Sequence, residues 1–122
     1  MISYENLLNE GLNQLPEFKR EYDRLIKEDV LDFESGNHIV FSYAFNPVLI
    51  ESLNLGKKDV SKRFLDFLEK MASSEDRLVT EVCDFTVLEE VHDAVKDRVL
   101  YSQLGPNTKK SFLSICNYMA EN

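Results

Sequence analysis

Eight carboxylates fall within residues 75–97, and three of them, Glu89, Asp93 and Asp97, recur at i, i+4 and i+8. On a helix that spacing stacks like charge in one column, each adjacent pair costing about 0.2–0.5 kcal/mol in isolation. Lys96 and Arg98 relieve the column only in part. Glu90 lies beside it, and Glu75, Asp76, Glu81 and Asp84 precede it. Such a pattern has three readings. It can be a solvated face and nothing more. It can hold an acid–base pair, which needs a pocket. Or it can dock a basic protein, where the field speeds encounter and selects against wrong partners. The partner-binding residues under that third reading are Glu89, Glu90, Asp93, Asp97, Glu81 and Asp84. A weaker acidic group, Glu28, Asp29, Asp32 and Glu34, surrounds an expected turn.

Other chemistry is sparse. His38 and His92 are the two histidines, and neither stands at ligand spacing from a cysteine or from the other. A metal site needs three or four ligands, so none is expected from spacing. His92 reads as a boundary residue beside an apolar face. Cys83 or Cys116 could serve as a nucleophile with His92 as base, but both sit among apolar residues, where an inert reduced thiol is the commoner state. The chain has no glycine-rich phosphate loop and no nucleophile elbow. The expectation is a non-enzymatic protein without a cofactor.

The formal net charge is −8. Phosphate binding needs clustered Lys and Arg, so the charge argues against nucleic acid and makes a basic protein the complementary partner. The surplus is uneven: residues 1–35 carry nine acids against four bases, and residues 75–104 carry eight against three. The intervening and closing segments each carry one net positive charge. No apolar run approaches the ~20 residues that span a bilayer, and the first residues lack the pattern of a secretory signal. With two unpaired thiols, a cytoplasmic location is expected. The oligomeric state is not legible.

The elements that must position these residues are helical. At 122 residues, 43% hydrophobic and 30% charged, the chain is expected to form a single domain over 1–122. Ser3 can cap a first helix with Leu7, Leu8, Leu12 and Leu15 inward. Pro16 suits the first position of a second helix, and Glu17 complements its dipole. Phe18, Tyr22, Leu25 and Ile26 form its apolar face. Residues 28–37 read as a turn. Residues 38–45 and 77–85 fit either a helix or a strand. As helix, 38–45 places Phe41, Ala44 and Phe45 inward and runs on, with a kink at Asn46-Pro47, to Val48 and Leu49. All-α is the simpler account, because a lone pair of short strands would otherwise have to partner each other.

Gly56 ends that element. In 57–72, KKDVSKRFLDFLEKMA, an apolar stripe of Val60, Phe64, Phe67, Leu68 and Met71 follows, with Asp59 as cap. Ser73–Asp76 offers another helix start. Thr86-Val87-Leu88-Glu89 matches a capping box, opening a helix expected to reach Gln103 with Leu88, Val91, Val95 and Val99 inward. Leu104-Gly105-Pro106 stops it. Asn107 or Thr108 can cap the last helix, whose face is Phe112, Ile115, Cys116 and Met119. Leu55-Gly56, Phe64-Leu65 and Met71-Ala72 align with Leu104-Gly105, Phe112-Leu113 and Met119-Ala120. The implied unit is roughly 48 residues, near the ~40–47 of HEAT-like repeats; two merely similar amphipathic helices would look the same. The fold expected is all-α, six or seven short helices in antiparallel pairs, with a HEAT-like repeat as one arrangement.

The segments LNQLPEF (12–18), VLEEV (87–91) and LGPNTKKSF (104–112) resemble a group of short, all-helical bacterial proteins of unknown function. Some of these resemble immunity proteins encoded beside polymorphic toxins. The resemblance implies a toxin as the basic partner and transfers no catalytic residue. A helical scaffold or regulatory domain that self-associates through an apolar face is the alternative.

Overall fold

The computed structural model describes residues 1–121. Helix α1 spans Leu7–Gln14 and α2 spans Pro16–Lys27. Helix α3 (37–54) is continuous but changes pitch: Asn37–Val40 is α, Phe41–Phe45 is π, and Asn46–Asn54 is α again. Helix α4 spans Lys58–Ala72. Helix α5 (77–94) repeats the α3 plan, with Arg77–Glu81 α, Val82–Leu88 π and Glu89–Ala94 α. Helix α6 is Asp97–Tyr101 and α7 is Pro106–Glu121. No strand occurs among the described residues, so 38–45 and 77–85 are both helical and the protein is all-α.

Several joins follow the local chemistry. Pro16 occupies the first turn of α2, where its missing N–H is not needed. Ser3 and Asn6 exchange bonds, the Ser3 N–H donating to Asn6 Oδ1 at 2.8 Å and the Asn6 N–H to Ser3 Oγ at 3.4 Å. Gly56 takes a left-handed φ of 69°, and the Lys57 N–H returns to the Ser52 carbonyl at 2.8 Å. The end of α2 closes the same way without glycine. Asp29 has φ 62°, while the Asp29 and Val30 N–H groups return to the Ile26 and Leu25 carbonyls, a Schellman closure with an L-residue at its left-handed position.

Other joins depart from the expected caps. Asp59 lies inside the first turn of α4 rather than capping it; Lys57 precedes the helix and no side chain caps it. The capping box at Thr86–Glu89 is not one. Thr86 is buried in the middle of α5, where its hydroxyl meets His38 Nδ1 at 2.6 Å and its carbonyl accepts from Asn46 Nδ2 at 3.0 Å. The π turns make this possible, because they release backbone groups that side chains then satisfy. Nor does one helix run to Gln103: Val95 is extended (φ −130°, ψ 142°), and α6 restarts at Asp97. The break lets Val95, Leu100 and Leu104 all be buried.

The core is built around aromatic rings. Phe45 is 5.4 Å from Phe18, 5.0 Å from Phe41, 4.9 Å from Phe64 and 6.4 Å from Phe67, centroid to centroid. All five rings are buried, so α2, α3 and α4 meet at one point. Leu7, Leu49, Leu68, Met71, Val79, Val87, Leu88 and Val91 extend the same cluster. The supposed repeat matches only in part. Phe64 and Phe112 are both buried, but Leu55 and Leu113 are exposed where Leu104 and Leu65 are buried; the side chain of Ala120 lies outside the described residues.

Candidate functional site

The six acids do not share one face. Glu81 pairs with Arg77 at 3.4 Å. Asp84 is half-buried in the π segment of α5 against α7, and its Oδ1 has no hydrogen-bond partner. Burial pushes the Asp84 carboxyl above its ordinary value, with Ser111 and Cys83 pulling it back only in part. Glu90 accepts the Ser42 hydroxyl from α3 at 2.7 Å. Asp97 stands on α6, beyond the break, with Oδ1 2.7 Å from His92 Nδ1. The expected i, i+4, i+8 column is therefore interrupted after Asp93. Glu89 and Asp93 remain adjacent on the last turns of α5, and neither has an ion pair or hydrogen bond among the described residues.

The Glu90–Ser42 bond belongs to a polar seam between α3 and α5. His38, Ser42, Asn46 and Asn54 face Thr86, Glu90 and Ala94; the last contact is Asn54 Nδ2 donating to the Ala94 carbonyl at 3.3 Å. Asn46 is buried, and its Oδ1 has no partner. The spacing of 38, 42 and 46 in steps of four, with 54 two steps further on, carried this signal in the sequence, as did that of 86, 90 and 94.

The weaker acidic group is structural. Glu28 pairs with Arg24, Asp29 closes α2, and Asp32 Oδ1 accepts the Glu34 N–H at 2.8 Å. Two further carboxylates position helix starts: Asp76 within the expected Ser73–Asp76 start signal, and Glu69, which no local pattern suggested. Asp76 caps α5 by accepting the Leu78 N–H at 3.0 Å, and its other oxygen accepts the Tyr4 N–H at 2.7 Å, clamping the N-terminal segment. Glu69, on α4, caps α7 from outside. Its oxygens accept the N–H and side chain of both Asn107 and Thr108, at 2.7–3.2 Å. Asn107 and Thr108 are thus donors to a foreign carboxylate, not the caps themselves. Burial raises the Glu69 pKa, but those four bonds outweigh it and hold it below its ordinary value.

His92, Asp97 and Cys116 come together at the break between α5 and α6, one ligand-type atom of each lying within 4.8 Å of the others. Sequence spacing could not show this, because the three come from three helices. Cys83 is fully buried, and both thiols are unpaired. Burial, and then the Asp97 charge, raise the Cys116 pKa, which disfavours the thiolate a nucleophile needs. Two shallow clefts, about 530 and 460 Å³, are lined by Met1, Glu10, Gln14, Lys70 and Glu75 and by Lys58, Lys62, Leu65, Ser102 and Gln103. None of the six acids lines either.

The profile of a family described as a domain of unknown function (DUF7674) matches residues 8–119. The chain belongs to that family. No curated protein and no solved structure matches it. The DUF7674 match runs from α1 into α7 and takes in every acid discussed above, the polar seam and the His92–Asp97–Cys116 cluster. None of its helices is long and apolar enough to cross a membrane, among the described residues.

Proposed function

We propose that this protein is a non-enzymatic binding module that docks a basic protein through the end of α5. The observation carrying this reading is the pair Glu89 and Asp93, two like charges one turn apart with no cation against them among the described residues. Glu90 and Asp97 flank them and add to the field, although each has a contact within the protein. Glu81 and Asp84 contribute less: Glu81 is paired with Arg77 at the surface, and Asp84 is half-buried against α7. In its most concrete form the partner is a toxin and the protein its immunity factor, acting in the cytoplasm by covering a basic active-site face. The resemblance noted in the sequence supports that form.

The test is co-expression with the product of the adjacent gene. Growth rescued by the wild type but not by a Glu89→Lys/Asp93→Lys variant is the expected result. Equal rescue by both removes the α5 face from the interaction, and a harmless neighbour removes immunity as the role. A second reading is self-association through apolar surface. It is favoured by Phe85 and Tyr118, which are both half exposed and pack edge to face at 6.4 Å across α5 and α7. A dimer in sedimentation that persists at high salt would favour it over the first.

A further inference from the structure

The break between α5 and α6 has no glycine or proline to cause it, and it gathers three chemically distinct side chains. His92 comes from the last turn of α5, Asp97 from the start of α6, and Cys116 from the middle of α7. A ring nitrogen, a carboxylate oxygen and a sulfur thus lie within 4.8 Å of one another. His92 Nδ1 is the telling atom. It is shielded from solvent and only 2.7 Å from Asp97 Oδ1, yet it has no aligned hydrogen bond. Buried polar atoms nearly always have a partner, so this one asks for a ligand.

We propose that His92, Asp97 and Cys116 bind a single zinc ion, with water as the fourth ligand. Zinc bonds of about 2.0–2.3 Å at tetrahedral angles put ligand atoms roughly 3.3–3.8 Å apart, so the 2.7 Å approach of His92 Nδ1 to Asp97 Oδ1 must open slightly on binding, while the sulfur already lies within 4.8 Å of both. Magnesium and calcium take all-oxygen shells, whereas a mixed nitrogen, sulfur and oxygen set suits a borderline-soft ion. Phe112 packs edge-on against the His92 ring, centroids 5.7 Å apart at 72°, and so fixes its orientation. The Asp97 side chain is 59% exposed, which leaves the outer side of the site open to water. The ion would fasten α5, α6 and α7 together where the backbone leaves helical geometry. Glu89 and Asp93 are not ligands, so the site shares only Asp97 with the docking reading.

Titration of the reduced protein with Co²⁺ tests this, because a cobalt–thiolate bond gives a charge-transfer absorption. The band should rise to one equivalent and vanish when Zn²⁺ displaces the cobalt. It should be lost in Cys116→Ser and kept in Cys83→Ala. Changing an outer-shell residue already costs 10–100-fold in metal affinity, so Asp97→Asn, at the surface and safe for folding, should weaken zinc binding by about tenfold or more. Zinc should also raise the melting temperature of the wild type and not that of Cys116→Ser. No band in the wild type, a band that survives Cys116→Ser, or unchanged zinc affinity in Asp97→Asn would overturn the proposal.

Discussion

Three carboxyl-bearing residues that look alike in sequence have opposite energetic roles. Glu69 is stabilising because it is charged: four donors from the start of α7 converge on it. Glu69→Ala should cost about 1–2 kcal/mol in urea unfolding at neutral pH, the range of a lost cap. Its pKa is held below the ordinary 4.5. Its contribution is therefore complete above the unfolded value and lost as pH falls through the folded one. Gly105 exists for the same contact, since a Cβ there would lie 2.5 Å from Glu69 Oε1; Gly105→Ala should mimic the loss of Glu69. Asp84 is the reverse case. Burial raises its pKa above the ordinary 3.8, so the folded state binds a proton more tightly than the unfolded one. Stability then declines as pH rises from the unfolded value through the folded one. Asp84→Asn, which keeps the neutral shape, should raise the melting temperature at pH 7 and lose that advantage in acid. Asp29 is strained by its backbone rather than its charge. At φ 62° it sits where glycine is at home, and Asp29→Gly should stabilise by about 1 kcal/mol, the cost of a left-handed L-residue.

At the scale of elements, the turns made by proline and glycine were legible and the turns made by packing were not. Pro16 and Gly56 act through their own φ preferences, so they read correctly from the letters alone, whereas Gly105 has no left-handed φ and instead makes room for Glu69. The π segments of α3 and α5 and the break at Val95-Lys96 have no such letters. They follow from what the side chains reach: Phe41, Ala44, Phe45 and Asn46 are buried with Tyr43 exposed among them, an inward arc wider than the usual apolar stripe of an α-helix. The same limit hid the site. Glu69 and Thr108 are far apart in sequence, as are His92 and Cys116, and no local spacing joins either pair. The strand-or-helix ambiguity at 38–45 and 77–85 comes from their β-branched and aromatic residues, whose strand preference the packing overrides. Phe45 is the residue most committed to this arrangement, touching rings from α2, α3 and α4. Phe45→Ala should cost about 3–5 kcal/mol, enough to threaten folding at 37 °C for a protein of ordinary stability. Chemical denaturation would measure it.

Across the whole molecule, the question is whether the acidic surplus of −8 is only a solvated skin or is kept for a purpose. Stability and binding can be made to disagree on this point. Asp93 sits one residue before the end of α5, where the helix dipole disfavours an anion and favours a cation. Glu89, one turn earlier, repels it. Asp93→Lys removes both penalties and creates a Glu-before-Lys pair at i, i+4, the better of the two orientations. The variant should therefore be more stable than the wild type by about 0.5–1 kcal/mol at low ionic strength, and the gain should shrink as salt is added. A solvated face would accept that gain with no other consequence. A docking face would lose affinity in the same variant, since a partner selected by its positive charge would meet a lysine at the centre of the surface. Residues that stabilise when replaced yet disable when replaced are those held in place by function rather than by folding. Thermal melts and partner titrations on the one substitution, run at two salt concentrations, distinguish the cases: a rise in stability with unchanged affinity would leave Glu89 and Asp93 without a role.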